Sequence, residues 1–338
     1  MKPKVTIQIP TYGQDKYIEK AIESALAQDY ENLEVILCDD NSPDNTESVA
    51  KQFNSDPRFR YIKNEKNLGR VQNYHHCLYD LASGDYVLNL DGDDYLSDDK
   101  YISKAIILFE KYADIVMVFG RQKVLMEKNG EIIEDDISNK LPEYVDGNWL
   151  FLNVCKGIAI PHLTCLYKKE VAKKVGFYTL NIVSSDSESL FRLILDQKIG
   201  FLNSFAGVWR RHEFNKSKAM TKEEIFEAAD FIEVPYKLAL KKENISKNEL
   251  INWRFNMLKR YFVKNFLKMY VLKKLKYSEI RQEIENYNLE LSQKIFSDPK
   301  VAFLFLFSRN KFLMFILFKK IVKMESLYLD YLEMISNT

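Results

Sequence analysis

The chain lacks an apolar run long enough to cross a membrane. Its most apolar segment, residues 301–322, is broken by Ser308, Arg309, Asn310 and Lys311 into runs of about seven residues, against the ~20 that a spanning helix needs. Cysteine is scarce. Cys38, Cys77, Cys155 and Cys165 form no CxxC pair and no regular spacing, which argues against a zinc ribbon or a disulfide framework and makes a reducing compartment the default. Charge of one sign is missing as well: the formal net charge is +1, so the molecule as a whole is not a polycation suited to nucleic acid. The opening MKPKVTIQIPTYG has no long apolar core of a secretory leader and passes straight into a strand pattern. Internal repeats and low-complexity linkers are absent.

What is present is an ordinary globular balance over 338 residues, 46% hydrophobic and 29% charged, enough for one large core and an appendage. The abundance of Lys, Asn, Ile, Phe and Tyr resembles the output of an AT-rich bacterial genome. Charge is uneven: acidic residues lead through the first two thirds, and lysine and arginine lead after about Lys237.

Periodicity predicts a strand over 5–9 stopped by Pro10, a helix over 16–28 and a strand over 33–38. A helix from 43 or 44 to 52, a short strand over 60–62, a helix over 71–82 and a strand over 86–90 follow. Asp98 or Asp99 is expected to cap a helix reaching 112. A strand over 115–119 and a hairpin over 124–133 turning at Asn129-Gly130 come next. The segment 146–164 is mixed, 185–196 helical and 202–209 a strand. The alternation of strand and helix predicts an α/β fold with a largely parallel sheet. Beyond about residue 220 helical patterns take over, roughly 222–243, 247–276, 277–297 and 299–333, so the division expected is 1–219 and 220–338.

Two strands end in acid. LNLDGDDYL gathers Asp91, Asp93 and Asp94 where a strand leaves the core, and ILCDDNSPDNT places Asp39 and Asp40 at another strand end. Packing gives no reason for this, and like charges repel. A divalent cation held by oxygen ligands offsets the repulsion at Asp91–Asp94, where the bland alternative is a solvated acidic turn. At Asp39-Asp40 one carboxylate suits a nucleobase N–H while its neighbour supports the loop; plain N-capping needs only one such residue. Ligands in open α/β sheets collect beyond the carboxyl ends of the strands, so the two acidic loops are expected to be neighbours in space.

The run IPTYGQDKYIEKAIESALAQDYENLEVILCDDNSPDNT, then NLGRVQN, then ASGDYVLNLDGDDYL resembles the nucleotide-sugar-dependent inverting glycosyltransferases of GT-A family 2, over about residues 5–213. The resemblance implies a GT-A Rossmann-like, mixed and mainly parallel sheet flanked by helices, with a C-terminal helical extension. It implies that Pro10, Thr11 and Tyr12 line the nucleotide, that an acid at Asp39-Asp40 contacts the base, and that Arg70 approaches the nucleotide. Asp91 and Asp93 match the DxD element, Asp93 facing the metal and diphosphate, and Asp94 matches a frequent third acid. In SDSESLFRL, Asp186 matches the catalytic base and Arg192 a later arginine. Ser185 departs from the glutamate common there, and Glu188 is the nearby fallback. The structural alternative for Asp186 is an acid favoured by a helix N-terminus. In WRRHEFNKSK, Arg210, Arg211 and His212 match a loop that closes over the diphosphate, with His212 toward phosphate or metal. His162 either lines the acceptor pocket or is a satisfied structural histidine. His75 and His76 read as packing or surface.

The function this implies is inverting transfer of a sugar from a nucleotide-sugar, most simply a UDP-sugar, to a hydroxyl of a saccharide or lipid-linked glycan, with Mn²⁺ or Mg²⁺ as cofactor. The competing expectations are a catalytically inactive nucleotide-binding interaction protein and a metal-dependent enzyme processing sugar nucleotides or phosphates. The basic, aromatic tail suits contact with an anionic membrane surface, a self-contained helical subdomain, or an oligomer interface. A cytoplasmic protein peripheral to the inner face of the cell membrane, with no nucleic-acid partner, is the corresponding expectation.

Overall fold

A computed structural model describes residues 2–134, 140–212, 215 and 220–308. The chain forms two compact units, one of Met1–Met220 with Lys237–Ile245, the other of Thr221–Tyr236 with Ser246–Thr338.

The first unit is an α/β structure. Its strands β1 (Val5–Thr11) and β2 (Leu33–Asp39) are buried at every position, as expected of parallel strands covered on both faces. With β3 (Phe59–Lys63) and β4 (Tyr86–Asn89) they form a parallel block in the order β3-β2-β1-β4. The crossovers carry α1 (Ile18–Leu26), α2 (Thr46–Lys51) and α3 (Arg70–His76). Ile18, Ala21, Ile22 and Ala25 of α1 join Val5, Ile7 and Ile9 of β1 in one core cluster. Truncating one such buried isoleucine to alanine costs about 2–5 kcal/mol.

Beyond β4 the sheet becomes mixed. The elements are β5 (Tyr95–Leu96), α4 (Tyr101–Lys111), β6 (Ile115–Met126), β7 (Glu131–Glu134), β8 (Tyr144–Asp146), α5 (Gly147–Asn153), β9 (Leu166–Lys168), α6 (Lys169–Val175), α7 (Ser185–Ile194) and β10 (Lys198–Arg211). The order continues β4-β9-β6-β10-β5, with β7 on β6 and β8 on β10. β9 is antiparallel to both neighbours, and β10 is parallel to β6. That last pairing is irregular: β10 advances from Leu202 to Gly207 while β6 advances only from Gly120 to Gln122.

Several elements differ from the periodic reading. Pro10 does not stop β1; it pairs opposite Cys38, and the strand runs on to Thr11, whose carbonyl accepts from the Asp40 N–H at 2.9 Å. The helix expected over 71–82 is α3 followed by a π-helical turn, Cys77–Leu81. Asp98 accepts from the Lys100 N–H just ahead of α4. The strand at 115–119 and the first arm of the hairpin are one strand, β6, and the hairpin partner β7 pairs as Val124↔Ile133. The strand expected over 202–209 is the longer β10.

The second unit is helical. A capping box between Thr221 and Glu224 starts α8 (Lys222–Ala228), and α9 (Asp230–Ala239), α10 (Lys247–Val271), α11 (Tyr277–Tyr287), α12 (Leu289–Phe296) and α13 (Pro299–Phe307) follow. The single helices expected over 222–243 and 277–297 are therefore pairs. Asn288 breaks the second: it is extended at φ −162° and its side chain caps α12 through the Leu291 N–H. The rest of the helix expected over 299–333 lies outside the described residues. Phe226, Phe262, Phe266 and Tyr287 form an aromatic cluster in this unit, and Arg254 forks onto Glu233 at 2.6–3.0 Å. Among the described residues no helix is long and apolar enough to cross a membrane.

Candidate active site

Parallel strands β1, β2 and β4 release their chains at the same edge, and three functional loops start there. At the end of β1, Pro10 and Thr11 are buried while Tyr12 stands 51% exposed. The Gly13 N–H donates to the Ser42 hydroxyl at 2.9 Å, tying this loop to the one after β2.

Asp39 and Asp40 are almost fully buried, and both organise backbone. Asp39 accepts from the Ser42 N–H at 2.8 Å and from the Tyr61 hydroxyl at 2.7 Å. Asp40 accepts from the Leu68 and Gly69 N–H groups at 2.7 and 2.9 Å and from the Asn64 amide at 3.0 Å. Gly69, at φ +87°, precedes the first residue of α3, Arg70. One acid thus sets the β2 loop, and the other positions the entry to α3.

The β4 loop brings Asp91, Asp93 and Asp94 together, with one carboxylate oxygen of each inside 4.8 Å. Gly92 makes this possible. A Cβ there would lie 2.4 Å from Gln14 Oε1 and 2.8 Å from Thr11 Oγ1, so only glycine lets the acidic loop close onto the end of β1. Asp91 accepts from the Tyr74 hydroxyl at 2.6 Å and from the Asn89 amide at 3.0 Å. Burial raises the Asp91 pKa and the Asp93 charge adds to it, against the opposing pull of His162, Tyr74 and Arg70. Asp94 is pushed well above the usual carboxylate range, first by burial and then by Asp93 and Asp91. The cluster carries more negative charge than its surroundings compensate, which is the electrostatic condition of a cation site.

The end of β10 meets this loop. The Arg210 N–H donates to Asp94 at 2.8 Å and its Nε to the Asp93 carbonyl at 3.1 Å. His212 Nε2 lies 2.8 Å from Asp93 Oδ2, and the Asn215 amide donates to the same oxygen at 3.3 Å. Arg211 instead lays its guanidinium over Trp209, 5.1 Å from the ring centre. Arg210 thus touches the acidic loop through both its backbone and its side chain.

On the other side, Arg70 donates to the carbonyls of Ile182 (3.2 Å) and Val183, just ahead of α7. Burial opposes the Arg70 charge, but Tyr74, Asp186 and Asp91 hold it. Asp186 sits in the first turn of α7, where the helix dipole favours an ionised carboxylate. Glu188 is fully buried and pairs with Arg192 at 2.6 Å, and Arg192 also donates to the carbonyls of Val175 and Gly176. His162 Nε2 lies 2.7 Å from the Tyr178 hydroxyl, and both rings border Tyr74. His75 stacks on Tyr79 and His76 pairs with Asp80.

The model of glycosyl transferase family 2 matches residues 6–174. The chain belongs to that family. This glycosyltransferase is 26% identical over 311 residues to glycosyltransferase GlyG of Streptococcus pneumoniae, covering 89% of this chain and 98% of that one. It is 36% identical over 135 residues, 39% of this chain, to the GalNAc(5)-diNAcBac-PP-undecaprenol beta-1,3-glucosyltransferase of Campylobacter jejuni, and that alignment spans only 42% of the relative's length. Among solved structures, residues 1–349 of S. aureus TarS in complex with UDP-GlcNAc superpose with a TM-score of 0.69 at 19% identity, over 98% of this chain and 92% of that one. The likeness to TarS shows the fold: an α/β GT-A-like sheet flanked by helices with a helical C-terminal region.

The motif reading missed Tyr17, Tyr74, Asn89, Glu127 and Asn215. Tyr17 and Tyr74 lie at an apolar helix end and on an apolar helix face, where an aromatic reads as core. Asn215 sits three residues beyond the histidine it caps, accepting the His212 N–H at 2.7 Å, a local turn with no sequence signature beyond its amide.

Proposed function

We propose that the enzyme transfers a sugar from a UDP-sugar to a hydroxyl of a saccharide or lipid-linked glycan with inversion, using Mn²⁺ or Mg²⁺. The observation that carries the reading is the convergence on one sheet edge of a buried acid pair, a three-carboxylate cluster and a histidine bonded to that cluster. The oxygen-rich donor set with one imidazole fits a hard divalent cation, and Asp93 and His212 would hold it, beside Asp91 and Asp94. When bound, the cation neutralises charge developing on the departing diphosphate.

The exposed Tyr12 ring and the Asp39-Asp40 loop receive the nucleobase, and Asp91 faces the nucleoside. Arg70, with Asp186 and Asp91 acting on it, stands between nucleotide and acceptor, and Arg210 supports the phosphate side. Asp186 takes the proton from the acceptor hydroxyl as that oxygen attacks the sugar carbon, so no covalent intermediate forms. Glu188 is bound to Arg192 as a structural pair, which leaves Asp186 as the base. His162, bonded to Tyr178, borders the acceptor side.

The acceptor class is argued from the tail and the relatives. Phe303 and Leu306 are exposed, Leu306 at 72%, in a lysine-rich unit, which suits the surface of an anionic membrane on which a lipid-linked acceptor lies. The Campylobacter relative acts, by its description, on an undecaprenol-linked glycan.

The test is calorimetry of UDP-, GDP- and dTDP-sugars with and without Mn²⁺ on the full chain, D93A and D186A. One UDP-sugar bound only with metal, lost in D93A and kept in D186A, is the expected result. Metal-independent binding unaffected by D93A overturns the metal assignment, and preference for a GDP- or dTDP-sugar overturns the donor.

A further inference from the structure

Tyr17 lies outside the acidic loops and has no role in the site described above, yet its ring contacts the histidine that meets Asp93. Its ring stacks on His212 with centroids 4.8 Å apart and planes 27° from parallel. The Arg210 guanidinium lies 4.9 Å from the same ring. The Tyr17 hydroxyl donates to Glu127, 3.0 Å from each carboxylate oxygen. Glu127 in turn donates its N–H to the Arg211 carbonyl at 3.1 Å and receives Lys16 at 3.3 Å. The residues on either side of Arg211 are therefore those that stack on the Tyr17 ring, and the residue between them is bonded to the glutamate that anchors the Tyr17 hydroxyl. Tyr17 is buried at 7% exposure and is the N-cap residue of α1, so the ring is anchored at the start of a core helix and not on the loop that carries His212.

We propose that Tyr17 is a positioning residue for the metal shell: it fixes the plane of His212 so that Nε2 faces the oxygen of Asp93, and Glu127 holds Tyr17 in that pose. The inference rests on the reading of His212 as a metal ligand. An imidazole on a loop rotates about two side-chain bonds, and a ligand offered at the wrong angle binds weakly. Outer partners that orient ligating histidines commonly contribute 10–100-fold in metal affinity, through a hydrogen bond to the second ring nitrogen. Here the restraint acts through the ring face, supplemented by the 3.2 Å contact of Asn215 with Nε2. The chemistry requires a planar side chain at 17 and puts the hydroxyl in a secondary role.

The experiment titrates Mn²⁺ into the full chain with saturating UDP, reading free Mn²⁺ by electron paramagnetic resonance. The variants are Y17F, Y17L, Y17M, H212A and Y17L/H212A, with the fold of each checked by thermal melting and circular dichroism. Y17L and Y17M are both apolar and non-planar, so failure of one to fold leaves the other. The expected result is about a tenfold weaker Mn²⁺ affinity in Y17L or Y17M, about two- to threefold in Y17F, and no further loss when Y17L is added to H212A. If H212A weakens Mn²⁺ and Y17L and Y17M do not, or if the losses add in the double variant, Tyr17 does not act through His212 and the metal reading stands alone. If H212A leaves Mn²⁺ affinity unchanged, the assignment of His212 and this inference both fall.

Discussion

Replacing Gly92 by alanine isolates what the glycine of the acidic loop does. The added Cβ would meet Gln14 Oε1 at 2.4 Å, Thr11 Oγ1 at 2.8 Å and Ile18 Cδ1 at 2.9 Å, where ordinary carbon contacts begin near ~3.4 Å. Gln14 is the far end of a flexible side chain and can withdraw by about 1 Å, but withdrawal breaks the 2.7 Å hydrogen bond from the Thr11 hydroxyl, at a loss of about 1 kcal/mol. Thr11 belongs to β1 and cannot withdraw, so the loop itself must move by about half an ångström, an overpacking cost of about 1–3 kcal/mol. Together these lower stability by about 2–4 kcal/mol, or about 4–10 °C in Tm for a unit of this size. The same displacement moves Asp91 and Asp93 by more than the ~0.2 Å that metal–ligand distances tolerate, so Mn²⁺ affinity falls by about tenfold or more. Differential scanning calorimetry gives the first number and Mn²⁺ titration the second. In a Gln14→Ala background the first overlap is gone, and the Tm penalty of Gly92→Ala should shrink while the metal penalty persists. A Gly92→Ala protein that melts within a degree of the parent and binds Mn²⁺ equally well refutes the packing argument.

Asp186→Asn is expected to lower kcat by about 10²-fold or more while UDP-sugar and Mn²⁺ affinities stay near those of the parent; a loss confined to KM would remove Asp186 from the base role. Glu188→Gln should do the opposite. It breaks the ion pair of the buried Glu188 with the partly buried Arg192 and lowers stability by about 2–4 kcal/mol, seen by urea denaturation, with a residual kcat well above that of Asp186→Asn. Acid sensitivity should trace to Glu34. Burial alone would raise its pKa, but hydrogen bonds from Ser83, Thr6 and Arg60 bring it down to about 2, below the ordinary carboxylate range. Its contribution is therefore complete above about pH 4.5 and fades as pH falls toward 2, worth about 1–3 kcal/mol once solvent at Arg60 and Lys4 is allowed for. Urea midpoints between pH 6 and 3 should fall less steeply in Glu34→Gln than in the parent.

The parallel half of the sheet was legible because its strands are continuous apolar runs bounded by turn residues, and the acids stood out because packing gave no reason for them. The short strands β5 and β8 were not, since strands two or three residues long exist only by virtue of their partners: Tyr95 and Leu96 are strand because β10 lies beside them. The π-helical turn at Cys77–Leu81 shares its apolar spacing with an α-helix closely enough to hide. Asn288 carries an ordinary polar side chain in the sequence, and only its cap to Leu291 reveals the break. In the site, charge was readable and orientation was not. Arg210 and Arg211 are equivalent on paper, but alternation along β10 sends the Arg210 side chain to the Asp93 carbonyl and that of Arg211 to Trp209. Glu188 passed for a spare base until its burial beside Arg192 was seen.

That alternation gives the irregular stretch of β10 a role as a phase setter. Between Leu202 and Gly207 the strand spends five steps against two on β6, an odd excess of three. A strand presents alternate residues to opposite faces, so an odd excess reverses which face every later residue occupies. Arg210 and His212 share the parity that turns toward the acidic loop, and Trp209 and Arg211 share the other. Inserting one residue between 203 and 206 would shift that parity by one and deliver Arg211 where His212 now stands, setting a guanidinium in a place built for an imidazole. The spacing of these few loop-like residues, none of them touching the site, decides which chemistry the strand offers at its end.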